Sequence, residues 1–166
     1  MAKGIKISGA RLAANILRDT LATSKMSKEK SWRLTIARAL LVSEPERKTQ
    51  ILSQSDLAEA FADIAVESAE VFEVLTLDSQ HNVINRHRCT AGIANRSIIH
   101  PREAFRHAIL DNAVAVAFAH NHPSGDPTPS ADDVRTTQTL IRAGEIIGIR
   151  VLDHIVVSSG GFKSCN

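Results

Sequence analysis

Only two cysteines, Cys89 and Cys165, occur among the 166 residues, too few for a disulfide framework or a four-cysteine zinc site. Rings are scarce as well: five Phe, one Trp and no Tyr, which excludes a platform for stacking single-stranded bases. No apolar run approaches the roughly 18 residues of a membrane span. The opening Met1-Ala2-Lys3-Gly4-Ile5-Lys6 has no apolar stretch behind its charge, so it does not read as a secretory signal. These absences favour a reducing, cytoplasmic setting away from membranes. An apolar share of 43% excludes wholesale disorder, and the length suits one domain with a short appendage.

Net charge is only +2, but it is divided unevenly. Residues 1–50 hold 11 Lys and Arg against 4 Asp and Glu, a balance of +7, and residues 51–166 balance at −5. Clustered cations suit a nucleic-acid contact, because they release counterions on binding. Dispersed as they are here, they equally describe a solvated helical face.

Apolar periodicity predicts helices over residues 9–22 and around Trp32, Leu34, Ile36, Leu40 and Leu41, the second capped by Ser27 or Ser31. The stretch from Ser43 to Lys48 is polar, holds Pro45 and reads as a linker, dividing a basic helical segment (1–50) from the main domain (51–166). Ser53 and Asp56 stand as a capping pair before a helix carrying Leu57, Phe61 and Ile64. From Val71 the period changes to that of a strand, with turn chemistry at residues 78–82 and a return strand from Val83. Pro101 opens another helix. Residues 113–119 form an apolar run suited to a strand covered on both faces. Ser130 caps a long helix that ends at Gly148, and residues 149–157 make a last strand closed by residues 158–161. The expected class is α/β or α+β.

The chemistry concentrates in His120-Asn121-His122-Pro123-Ser124-Gly125-Asp126-Pro127-Thr128-Pro129-Ser130-Ala131-Asp132-Asp133. Histidines two apart at a strand end share a face. The prolines and glycine stiffen the loop, and Asp133 lies in the first turn of the next helix. Two imidazoles and a carboxylate converging there suit Zn²⁺ with a fourth position for water. Taken singly, the histidines read as a polar strand rim and Asp133 as an electrostatic helix cap.

His-x-His followed by seven residues, Ser, two residues and Asp resembles the JAMM signature of the JAB1/MPN metalloprotease superfamily. The wording His-Asn-His-Pro-Ser-Gly-Asp-Pro-Thr-Pro-Ser is similar to its bacterial RadC branch. Residues 71–78, 100–105 and 151–157 add supporting matches, so the resemblance covers about residues 50–162. It implies a mixed β-sheet flanked by helices, of cytidine-deaminase-like architecture, preceded here by a short helical segment. It also implies His120, His122 and Asp133 as zinc ligands, Glu70 as general base acting through zinc-activated water, and Ser130 as oxyanion stabiliser. Glu103 and Glu73 are the competing bases, and Asp153 or His154 is a candidate partner for a ligand histidine. Cys89, where the family usually has glycine, reads as a small buried residue.

The implied function is a zinc metallopeptidase or isopeptidase with a peptide or protein substrate. The alternative is a DNA-associated repair or recombination accessory protein, its metal site structural or acting on phosphodiesters and its DNA contact made by the basic segment. A deaminase is excluded, since no His-x-Glu stands with a Pro-Cys-x-x-Cys. Typical members of the branch carry a longer helical N-terminal region; they also continue for several residues at the C-terminus, where a shorter end would weaken the fold or leave a sheet edge uncovered. The sequence carries no reading of oligomeric state.

Overall fold

Residues 71–77 are buried on both faces, which places their strand at the middle of a layered structure. The computed structural model describes Leu17 and residues 28–41, 49–91 and 99–166. The helix expected over 9–22, Leu17 apart, and the linker at 43–48 lie outside the described residues. Helix α1 (Lys28–Leu41) and helix α2 (Gln54–Ala60) lead through a 3₁₀ turn (Ala62–Val66) into strand β1 (Val71–Leu77). Strand β2 (Val83–Ala91), helix α3 (Pro101–Leu110), strand β3 (Ala115–Asn121), helix α4 (Ala131–Ile147), strand β4 (Arg150–Ser158) and strand β5 (Gly161–Ser164) follow. The sheet order is β2-β1-β3-β4-β5. Only β3 and β4 run parallel, joined by α4, so the sheet is mixed and the α/β expectation is met. No helix among the described residues is long and apolar enough to cross a membrane.

Strand periodicity assigns the two faces. Val71, Leu75 and Leu77 meet Ala115, Ala117, Ala119, Ile155 and Val157 beneath α1, α2 and the 3₁₀ turn. Phe72, Val74, Val116 and Phe118 face α3 and α4, against Phe105, Ala108 and Leu140. Helix α1 belongs to the first core. Ile36 is buried, contributing about 1.5–3 kcal/mol, and the Trp32 indole N–H donates to Ser158 O at 2.8 Å while its ring lies on Phe162.

Helix starts follow their caps. Ser53 and Asp56 form the expected capping box. His100 accepts from Arg102 N–H ahead of Pro101, and Ser130 with Asp133 forms a second capping box on α4. Gly148, at φ 74°, closes α4 in the left-handed region, where glycine carries no Cβ penalty.

Three boundaries differ from expectation. The helix after Ser53 turns 3₁₀ at Ala62 instead of continuing through Ile64. Strand β3 starts two residues late and runs through Asn121, because His120 and Asn121 are buried despite their polarity. The segment expected only to close the fold contributes β5, which pairs with the end of β4.

Candidate metal centre

His120 is the next-to-last residue of the apolar β3 and points to the α3/α4 face with Phe118, as two-residue periodicity requires. His122, one residue beyond the strand, shares that side: the two Nε2 atoms are 3.2 Å apart. Asp133 arrives from the first turn of α4. Its Oδ1 lies 3.2 Å from His120 Nε2 and its Oδ2 3.6 Å from His122 Nε2. One ligand atom from each residue falls within 4.8 Å of the others, the only such grouping of His, Cys, Asp and Glu among the described residues.

Local structure sets each orientation. His122 Nδ1 lies 3.0 Å from the carbonyl of Asp126. A carbonyl only accepts, so the imidazole proton is on Nδ1 and Nε2 presents a lone pair. Asp133 is oriented by its capping box, in which Oδ2 accepts from Ser130 N–H at 2.6 Å. The loop between the histidines and α4 is seated on the β4–β5 corner. Ser158 Oγ and Gly160 N–H both donate to Gly125 O, and Gly125 itself sits at φ 88°.

The electrostatics suit a cation. Burial opposes ionisation of Asp133, but its close contacts with His120 and His122 and its cap with Ser130 outweigh it and hold the carboxyl far below the usual carboxylate range. The Asp133 carboxylate likewise raises the His122 imidazole against its own burial. Converging imidazole lone pairs and a carboxylate require a positive charge between them. Nitrogen and oxygen donors of this kind fit a borderline divalent ion.

The remaining expected residues separate clearly. Glu70 is exposed immediately before β1. The register pairs Phe72 with His120, so continuing it puts Glu70 across from His122, and its charge is felt at that imidazole. Glu73 faces the opposite side of the sheet, buried between Arg86 and Arg88 at 2.5 and 2.8 Å, and is a structural ion-pair partner. Glu103 stands half-exposed in the first turn of α3 beside Arg102. Ser130 is the N-cap of α4, its Oγ accepting from Asp133 N–H at 3.2 Å. His154 is buried and meets His120 Nδ1 at 2.9 Å, and burial above all, with the neighbouring His120 imidazole, pushes it well below the usual imidazole range. Asp153 points elsewhere, holding Gln54, Ser164 and Asn166. Cys89 is half-buried, and burial reinforced by Glu73 and Glu103 pushes its thiol up to about 12, which leaves it inert as a nucleophile at neutral pH.

Two residues at the site carried no signal in the sequence. Thr137, one turn after Asp133, reaches His154 Nδ1 at 2.6 Å. Asn121, between the histidines, turns to the other face. Its carboxamide accepts from Val71 N–H and donates to the carbonyls of Glu67 and Ala69, fixing the backbone on both sides of Glu70.

The family model described as "RadC-like JAB domain" matches residues 51–166. UPF0758 proteins of Pelobacter propionicus and Thermotoga maritima are each 50% identical over 95 residues, 57% of this chain and 42% and 43% of theirs. That of Methanosarcina acetivorans is 39% identical over 124 residues, 74% of this chain and 53% of its own. The chain thus spans about half the length of these curated relatives. With the five-stranded mixed sheet and the His-His-Asp cluster at the end of its middle strand, the match over most of the chain makes this protein a member of the RadC-like JAB domain family.

Proposed function

We propose that the protein is a zinc-dependent metallohydrolase that cleaves peptide or isopeptide bonds in a peptide or protein substrate. The observation that carries this reading is the convergence of His120, His122 and Asp133 at the end of a buried strand, with Glu70 across from His122. Those three side chains would hold the ion. When bound, zinc supplies Lewis acidity, polarising a carbonyl and bringing the pKa of water toward neutrality. The exposed Glu70 carboxylate takes the proton released by attacking water and returns it to the leaving amine. Asn121 holds the backbone that presents that carboxylate. The Ser130 hydroxyl accepts from Asp133 N–H and keeps its own proton to donate to developing negative charge on the substrate oxygen. Two free thiols, Cys89 and Cys165, suit action in the reducing cytoplasm.

The test begins with elemental analysis of purified protein, which should give one zinc per chain. His120→Ala and His122→Ala should each abolish stoichiometric zinc, and unchanged content would contradict the ligand assignment. Glu70→Gln should keep zinc and lose hydrolysis. Full activity in that variant would transfer the role to Glu103, since Glu73 faces the other side of the sheet. The +7 balance of residues 1–50 favours a second reading, a DNA-associated accessory role. A steep fall in DNA affinity with rising salt would support it, and no binding at low salt would remove it.

A further inference from the structure

The Thr137 hydroxyl has two short neighbours and one proton. One neighbour is the main-chain carbonyl of Asp133 at 2.7 Å, and the other is His154 Nδ1 at 2.6 Å. Two oxygens that both only accept repel at that distance, so a proton lies between hydroxyl and carbonyl, and the hydroxyl is its sole source. His154 Nδ1 must therefore be the donor to Thr137. The His154 ring is 1% exposed, and its hydrogen-bond partners are a hydroxyl and an imidazole, with no carboxylate to sustain a cation. It carries one proton, on Nδ1, and Nε2 is left bare. That bare Nε2 lies 2.9 Å from His120 Nδ1. Only His120 remains to supply the proton of this contact, so the proton of His120 is on Nδ1 and its Nε2 is an open lone pair facing Asp133 and His122.

From this chain of contacts we infer that Thr137 and His154 are positioning residues that fix His120 in its metal-ligating tautomer. The inference rests on His120 being a zinc ligand, as proposed above. The relay starts at the carbonyl of Asp133, passes through Thr137 and His154 to His120, and returns at His120 Nε2 to the Asp133 carboxylate 3.2 Å away. One residue of α4 thus supplies a ligand oxygen and also anchors the hydrogen bonds that orient another ligand. Phe72 packs its ring against both imidazoles, at centroid distances of 6.2 Å from His120 and 5.1 Å from His154, and limits their rotation.

Two measurements decide it. Long-range ¹⁵N–¹H spectra of the intact wild-type protein should show His154 neutral and protonated on Nδ1. A proton on Nε2, or on both nitrogens, would overturn the assignment. The second measurement is zinc affinity by competition with a chromogenic chelator. Thr137→Val keeps side-chain volume but removes the hydroxyl, and should weaken zinc binding by about 10–100-fold, the usual effect of losing a partner of a metal-ligating histidine. Thr137→Ser, which restores the hydroxyl, should return to within a few-fold of wild type. Wild-type affinity in Thr137→Val, or no rescue by Thr137→Ser, would refute the role. Neither readout involves substrate turnover, so a protein without hydrolytic activity would still answer the question. The spectra need no substitution, so an unstable variant does not remove the test.

Discussion

Asn121 accepts a hydrogen bond from the main-chain N–H of Val71 at 2.7 Å, tying the strand that carries His120 to the segment that carries Glu70. The same carboxamide donates to Glu67 O and Ala69 O, so all of its polar atoms are engaged in a buried setting. Asn121→Ala would leave one N–H and two carbonyls without partners, at about 1–3 kcal/mol for each unsatisfied group. We expect a fall in stability of at least about 3 kcal/mol in urea unfolding. A loss below 1 kcal/mol would show that the segment before β1 is held by other contacts.

Helix α1, within the basic segment, is seated on the domain through Trp32. Trp32→Phe keeps an aromatic ring against Phe162 and deletes the hydrogen bond to Ser158 O, and should cost about 1 kcal/mol. Trp32→Ala should cost more, about 2–3 kcal/mol, because a partly buried ring is lost from the core it packs against. Trp32 is the single tryptophan, so in the wild type intrinsic fluorescence reports release of this helix directly. Both losses can be read by chemical denaturation followed by circular dichroism.

Gly160 and Gly148 make a matched pair. A Cβ on Gly160 would meet Gly125 O at 2.5 Å, a backbone atom of the loop between His122 and Asp133, whereas a Cβ on Gly148 meets nothing within 4 Å. Gly160→Ala should therefore shift that loop, costing about 1–3 kcal/mol and weakening zinc binding. Gly148→Ala carries only the conformational penalty of φ 74°, about 1–2 kcal/mol, and should leave zinc affinity unchanged. Equal zinc affinities in the two variants would break the link between the β4–β5 corner and the metal loop.

Asp111 offers a pH test remote from the metal centre. Burial opposes its ionisation, but hydrogen bonds from Thr76, His87 and Asn85 outweigh it and lower the carboxyl. A folded value below the unfolded one gives stability that is complete above the unfolded pKa, about 3.9, and is lost as pH falls through the folded value. On the acid side, the stability gap between wild type and Asp111→Asn should shrink progressively as pH falls below about 4. A gap that widened toward acid would reverse the sign and reject the assignment.

The sequence was most readable where local chemistry decides structure. The mostly apolar run rich in β-branched residues at 71–77, proline at the start of α3, the two Ser–Asp capping boxes and Gly148 each act within a few residues, and each stands where expected. The grouping of His120, His122 and Asp133 was readable because strand periodicity and a cap together fix three side chains. Long-range partners were not. Choosing Glu70 over Glu73 needs the register of β1 against β3, and separating His154 from Asp153 needs to know which side of β4 faces α4. Asn121 and Thr137 work through neighbours that only folding brings together, at separations of 50 and 17 residues. The last residues of β3 fell outside the apolar run because His120 and Asn121 are polar yet buried.

The seat of this loop is a contact made far along the chain from it. Ser158 Oγ donates to Gly125 O across 33 residues, so the loop is steadied only once β4 has joined β3 in the sheet. An ion proposed to sit on His120, His122 and Asp133 would therefore be held firmly by the assembled sheet and weakly by the unpaired loop.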